Sequence, residues 1–190
     1  MHPLAKTLLV VLAVAPTAGA AEGPPWVDGL PKGRIIASRG ERYRIVGGAR
    51  AHLRAPHQSD AQIAAQANAT PEDVVDRLGN FVVVRDAGSA TRVPVAVAPS
   101  SGHLLAVNER TGSVAVIPGT LTVRLRKGGD PAAVARRHLV ALVSSAVRLR
   151  AAFVRVPPGA DLAAARASLA SDPAVDSVEI EVLERFAAPH

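Results

Sequence analysis

The sequence has 190 residues, a formal net charge of +6 and a hydrophobic fraction of 48% that depends largely on alanine and valine. Aromatic residues make up only 3%, which predicts a thin aliphatic core and modest stability. The absence of cysteine excludes disulfides and metal sites built from thiolates.

Residues 1–20 have the pattern of an export signal. His2 and Lys6 give a short positive start, residues 8–15 form an apolar run too short to span a bilayer, and residues 18–20 are a small-residue cleavage site. The alternative is a buried N-terminal helix. We expect a mature protein that is soluble and periplasmic or secreted, because no later apolar run approaches the length of a membrane span.

The positive charge comes mainly from arginines scattered along the chain with almost no aromatic residues between them. This distribution favours solubility or an acidic partner over nucleic-acid binding. We expect no membrane contact once the signal peptide is removed.

The first half of the chain gives weak signals. Residues 21–69 show no sustained hydrophobic period, and we interpret them as a mostly flexible N-terminal segment with local order at residues 43–46. Residues 70–118 predict a small, mainly β subdomain. It begins with a two-turn helix capped by Thr70 and ended by Gly79, and strands follow at residues 81–84, 93–97, 104–107 and 114–117.

The last third predicts a complete α+β unit over residues 119–186. Strands are expected at residues 121–125, 142–147, 152–156 and 175–183. Asp130 and Asp161 are suited to cap two helices, which begin at the residues after them. The order is therefore strand, helix, strand, strand, helix, strand, with both helices on one face of the sheet.

The fourth strand of this unit alternates. Val178, Ile180 and Val182 are expected to face the helices, which leaves the opposite face of the sheet open. The residues expected on that open face are Ser177, Glu179 and Glu181. Residues 187–190 contain small residues and a proline, which predict an extended, accessible tail.

No pattern of an enzyme is present. The sequence lacks a Gly-x-Ser-x-Gly elbow, a phosphate loop and a His-Glu-x-x-His motif, and its six histidines show no convincing metal-ligand spacing. His57, Ser59 and Asp60 are adjacent in a linker, whereas a catalytic triad is assembled in space. His138 near the end of a helix suits the helix dipole. We expect no catalysis, cofactor or metal.

Three stretches of the last third resemble a known family. They are Thr122-Val-Arg-Leu-Arg-Lys-Gly-Gly-Asp-Pro, Ala152-Phe-Val-Arg-Val-Pro-Pro-Gly-Ala-Asp-Leu and Asp172-Pro-Ala-Val-Asp-Ser-Val-Glu. Together they are similar to the propeptide of subtilisin-like serine proteases over about residues 119–186.

The resemblance implies a ferredoxin-like fold and a protease partner. In this family the open sheet face docks on two surface helices of the protease, and the C-terminal tail lies in the active-site cleft. Docking inhibits the protease and helps it to fold. The implied protease-binding residues are Glu179, Glu181, Phe186, Ala187, Ala188, Pro189 and His190, with His190 at the S1 pocket.

The chain carries no catalytic domain after His190, so the resemblance predicts a free-standing chaperone and inhibitor that acts in trans. We expect a monomer when free and a heterodimer with the protease. Three alternatives remain: a non-enzymatic periplasmic binding module with a ferredoxin-like fold, an enzyme with a site dispersed through residues 43–110, and nucleic-acid or membrane association through the arginines.

Overall fold

The computed structural model describes residues 23–86, 102–157 and 159–184. Within these ranges the chain forms eleven strands and three helices in two antiparallel sheets, which confirms the predicted α+β class. None of the helices in the described ranges has the length and apolar character needed to cross a membrane. The predicted signal peptide, the strand at residues 93–97 and the tail at residues 187–190 lie outside the described residues.

The helices are α1 Asp60–Gln66, α2 Pro131–Arg137 and α3 Leu162–Ala170. The strands are β1 Lys32–Ser38, β2 Glu41–Leu53, β3 Val74–Leu78, β4 Phe81–Arg85, β5 His103–Asn108, β6 Val114–Ile117, β7 Thr120–Leu125, β8 Ala141–Ala146, β9 Ala151–Arg155, β10 Val175–Ile180 and β11 Leu183–Glu184.

The smaller sheet follows the prediction for the last third closely. Its strand order is β10-β7-β9-β8, and each neighbouring pair is antiparallel. Asp130 and Asp161 cap α2 and α3 as predicted, because their carboxylates accept backbone N–H groups of Ala132 at 2.9 Å and Ala163 at 2.8 Å. Apolar residues of both helices belong to one buried cluster with alternate residues of β7, β9 and β10, so both helices cover the same face.

The larger sheet corrects the expectation for residues 21–69. It has seven strands in the order β11-β6-β5-β2-β4-β3, with β1 paired to β2, so the segment expected to be mostly flexible supplies its central strand. The register of β2 shifts between Val46 and Ala51, and Gly48 has φ of +72°. This bulge interrupts the alternation of side chains, which explains why the sequence shows no sustained period.

The helix expected at residues 70–79 is also corrected. Only one 3-10 turn forms, at Pro71–Asp73, and β3 follows directly. The Asp73 carboxylate accepts the N–H and the hydroxyl of Thr70, each at 2.8 Å, so the predicted helix start is real. The next two residues are valines, which favour a strand, and β3 pairs with β4 because Gly79 with φ of +60° turns the chain into a hairpin.

A third correction concerns the fourth strand of the last third. The sequence predicts one strand over residues 175–183, whereas β10 ends at Ile180 and β11 pairs with β6 of the larger sheet. Val178 and Ile180 are buried on the helix side as expected. The chain thus moves from one sheet to the other at Glu181 and Val182.

The two sheets share a core and are joined by polar contacts. Ile36, Tyr43 and Ile45 of the larger sheet lie in the same buried cluster as β7, β9 and β10. Arg34 donates to both carboxylate oxygens of Asp161, at 2.5 and 2.9 Å. This contact and the N–H groups of Ala164 and Ala163 hold the pKa of Asp161 at about 2, below its ordinary value of 3.8.

The contribution of Asp161 to stability, through the cap of α3 and the contact with Arg34, can be tested. Asp161→Ala removes the helix cap and the ion pair, and we expect it to lower the free energy of unfolding by about 1–2 kcal/mol. Asp161→Asn keeps a capping oxygen, and the lost pair costs only about 0.5 kcal/mol because both partners are roughly one-third exposed. Urea unfolding, followed through the single tryptophan, measures both variants.

The same comparison has a defined pH dependence. Because the folded pKa of Asp161 lies below its ordinary value, the carboxylate stabilises the protein above about pH 4. We expect the advantage of wild type over Asp161→Asn to fade as the pH falls towards about 2. An advantage that is constant between these limits would contradict the assignment.

Candidate functional site

One face of the smaller sheet carries no helix from residues 23–86, 102–157 or 159–184. The register places residues of four strands side by side on it, with Phe153 opposite both Thr122 and Ser144. We define this open face by Thr122, Arg124, Ser144, Phe153, Arg155, Ser177 and Glu179. Each of these side chains is half-buried or exposed.

Apolar side chains are exposed both on the open face and at the free edge of the sheet. Phe153 is 36% exposed at the centre of the face, although large aromatic side chains usually lie in the core. Strand β8 is the last in the sheet order and contains no charged residue. We define the apolar edge by the exposed side chains Leu142, Val143, Val147 and Leu149.

Among the described residues no strand pairs with the outer side of β8, and an uncharged free edge of this kind is unusual. Natural edge strands commonly carry charged residues or proline, which prevent another chain from pairing with them. Exposed apolar surface together with an uncharged edge marks a site of protein–protein contact. Sequence reasoning overlooked this feature, although the uncharged run at residues 139–147, in which only alanine and serine interrupt the aliphatic residues, was a visible signal.

The two predicted glutamates occupy different positions. Glu179 lies on the open face opposite Thr122, and its Oε2 accepts the N–H of Arg39 from the β1–β2 turn at 3.3 Å. Glu181 comes one residue after β10, and its N–H donates to the carbonyl of Thr120 at 3.0 Å. Only Glu179 therefore belongs to the open face, and the first hairpin already contacts it.

The tail residues predicted to bind a protease, Phe186, Ala187, Ala188, Pro189 and His190, lie outside the described residues. The structure describes the chain up to Glu184, where β11 ends on the larger sheet. The last described residues are thus attached to a different sheet from the one that carries the open face.

A Ser–His–Asp arrangement joins α2 to α3. Nδ1 of His138 lies 2.9 Å from Ser168 Oγ, and Nε2 lies 2.9 Å from Asp172 Oδ2. Asp172 is 5% exposed and also accepts from Arg137 at 2.7 Å and from the N–H of Ala174 at 2.8 Å. The N–H of Ala174, then Arg137 and His138, hold the pKa of Asp172 at about 2.

This arrangement lacks a feature that acyl transfer needs. A reactive serine requires free N–H donors beside it to stabilise an oxyanion. Ser168 is the seventh of nine residues in α3, where backbone N–H groups are bonded within the helix. His138 is the C-cap of α2, near the position expected to favour the dipole. We interpret the contacts as a structural clasp between the helices.

A buried charged cluster lies beyond the bulge of β2. Arg50 is 9% exposed and its Nε lies 3.7 Å from Asp86 Oδ2. Within the part of the chain that the structure describes, Arg50 Nε and Nη1 have no hydrogen-bond partner. Burial raises the pKa of Asp86 and lowers the pKa of both His52 and His103. Asp86 already opposes the charge of Arg50, so the cluster is a structural ion pair.

A metal site is not formed within residues 23–86, 102–157 and 159–184. No group of three histidine, aspartate or glutamate side chains in these ranges lies close enough to hold an ion. The surface with distinctive chemistry is therefore the open face with its apolar edge.

Comparison with known proteins identifies a family. The model of the family described as "Open reading frame 2 N-terminal domain" matches residues 60–189. In the crystal structure of the Aeromonas sobria serine protease (ASP) and chaperone (ORF2) complex, one chain is similar, with 18% identity and a TM-score of 0.38. The likeness covers 83% of this chain and 100% of that chain. No curated protein matches.

The structural role of the clasp is testable. Asp172→Asn removes the charge that binds Arg137 and His138, and we expect the melting temperature to fall by several degrees. Ser168→Ala removes only an exposed hydroxyl, and its effect should stay within about 0.5 kcal/mol. Hydrolysis of p-nitrophenyl acetate should be equal for wild type and Ser168→Ala. Ester hydrolysis that is lost in Ser168→Ala would show a catalytic serine instead.

Proposed function

We propose that this chain, which belongs to the Open reading frame 2 N-terminal domain family, is an exported chaperone and inhibitor of a subtilisin-like serine protease. The observation that carries the proposal is the four-stranded sheet with two helices on one face and an exposed opposite face centred on Phe153. This sheet and its helices lie within about residues 119–186, the stretch whose motifs resemble a subtilisin-like propeptide.

The topology supports a ferredoxin-like unit. The elements follow the order β7, α2, β8, β9, α3, β10, and the strand order β10-β7-β9-β8 places the first and third strands at the centre. Both helices pack on one face, and the first hairpin contacts the other face only at Glu179 among the described residues, which leaves Phe153 exposed for a partner. A propeptide-like docking mode needs this division.

The chemistry of the open face suits a protein partner. Phe153 and the apolar edge offer side chains that gain free energy when they are covered, at about 25 cal/mol per Å² of apolar surface. Glu179 supplies a carboxylate on the same face, which favours helix N-termini of the partner because their unpaired N–H groups and dipole attract an anion. Glu181, just beyond β10, extends this acidic character.

In this proposal the tail occupies the active-site cleft. Residues 186–190 bind as a product-like strand whose backbone pairs with the cleft, and His190 lies at the S1 pocket. The tail blocks substrates while the open face holds the protease. Because a ligand that binds only the folded form stabilises that form, the same contacts assist folding.

The proposed setting follows from the signal sequence. The protein is periplasmic or secreted, a monomer when free and a heterodimer with its protease. It needs no cofactor and performs no catalysis itself. Its action is binding alone, so its effect on the protease follows the occupancy of the complex.

The decisive experiment compares the full protein with a variant that lacks residues 186–190. We expect the full protein to inhibit a subtilisin-like protease from the same source and to raise the yield of active protease after dilution from denaturant. Loss of the tail should weaken inhibition by about tenfold or more, equivalent to about 1.4 kcal/mol. If neither form inhibits or assists refolding, the binding-module alternative replaces this proposal.

A second experiment tests the open face. Phe153→Asp places a charge at its centre, and we expect affinity for the protease to fall at least about tenfold. The matched control is Leu53→Asp, because Leu53 is an exposed apolar residue of the larger sheet. Binding is measured by surface plasmon resonance with inactivated protease. Equal losses in both variants would argue against docking through the open face.

A further inference from the structure

The route of the chain after β10 determines where the tail begins. β10 lies at one edge of the smaller sheet, but the chain leaves that sheet after Ile180. Leu183 then pairs with Val116, and Glu184 pairs with Ala115, which makes β11 the edge strand of the larger sheet. The tail therefore starts from the larger sheet, although the open face belongs to the smaller one.

Backbone pairing alone is a weak attachment, because β11 has only two residues. A side-chain hydrogen bond reinforces it: Asn108 Nδ2 donates to Glu184 Oε1 at 2.9 Å. Asn108 is 1% exposed, and its Oδ1 accepts the N–H groups of Arg110 at 2.9 Å and Thr111 at 3.2 Å. The β5–β6 turn thus fixes Asn108, and Asn108 in turn holds Glu184.

The negative charge of Glu184 also affects two neighbouring side chains, Tyr43 and Arg110. The pKa of Tyr43 is raised mainly by burial and then by the Glu184 carboxylate. Arg110, which pairs with Glu41 at 2.5 Å, also feels the negative charge of Glu184, and Glu41 and then Glu184 raise the pKa of its guanidinium. The buried amide of Asn108 therefore holds Glu184 in place, while the ion pair of Arg110 is with Glu41.

We propose that Asn108 and Glu184 are positioning residues, which fix the point and direction from which residues 185–190 leave the protein. This inference rests on the proposed function, in which the tail enters a protease cleft. Six extended residues reach at most about 20 Å, so the location of their root decides which part of the partner they meet. A fixed root also lowers the conformational entropy that the tail loses on binding.

The test uses the full chain and two substitutions at one position. Glu184→Ala removes the acceptor, and we expect inhibition to weaken by about tenfold. Glu184→Gln keeps an Oε1 acceptor for Asn108 and should retain inhibition close to that of wild type. Hydrogen exchange of the β11 amides in the free protein should accelerate in the alanine variant only.

A truncated background separates positioning from general stability. In the protein that lacks residues 186–190, Glu184→Ala should change the remaining inhibition by less than about twofold, because no tail is left to position. An equal loss in full-length and truncated proteins overturns the inference, as does unchanged inhibition by full-length Glu184→Ala.

The same two variants, the truncation and Glu184→Ala, also distinguish a failure of the inference from a failure of the proposed function. If truncation weakens inhibition and Glu184→Ala does not, the tail acts in the cleft without a fixed root, and only the positioning role is wrong. If truncation itself has no effect, the proposed role of the tail is wrong, and the positioning role fails with it.

Discussion

The contact between Arg34 and Asp161 joins the two halves of the molecule. Asp161 caps α3 through the N–H groups of Ala163 and Ala164, and the same carboxylate receives both donors of the Arg34 guanidinium fork. Nearby, Ser38 donates to the carbonyl of Ile180 at 2.7 Å. The first hairpin is thus held against α3 and β10. The shared apolar cluster beneath these contacts makes the two sheets one packed body.

This joint has consequences for the exposed surface. The β1–β2 turn reaches Glu179, so the β10 side of the open face is partly occupied by the protein itself. Among the described residues the β8 side has no such contact, and it combines exposed apolar side chains with an uncharged edge strand. A partner that docks on this face gains most from contact at Phe153 and the apolar edge. Acidic residues at the other side then contribute orientation more than affinity.

The elements of the last third could be predicted from the sequence because their signals come from residues close to one another in the chain. Alternation in β7 and β10, and the caps Asp130 and Asp161, each act within a few residues of sequence. The larger sheet was hidden because β2 changes register at a bulge. β11 could not be predicted, because its pairing with β6 depends on tertiary structure. Phe153 lies in the strand predicted at residues 152–156, but its position on the open face follows from the pairing with Thr122 and Ser144. The proposed tail contacts stay predictions.

In the proposed function the two sheets have different roles, which explains why the chain contains more than a propeptide-like unit. If β10 ran on directly into the tail, one sheet would fix both the docking face and the tail. Here the smaller sheet carries the open face, and the larger sheet holds the root of the tail through β6 and Asn108. Their relative geometry depends on the shared core and on Arg34. In the proposed function, the larger sheet therefore sets the position of the tail, and strands β1 to β6 contribute to inhibition together with the open face.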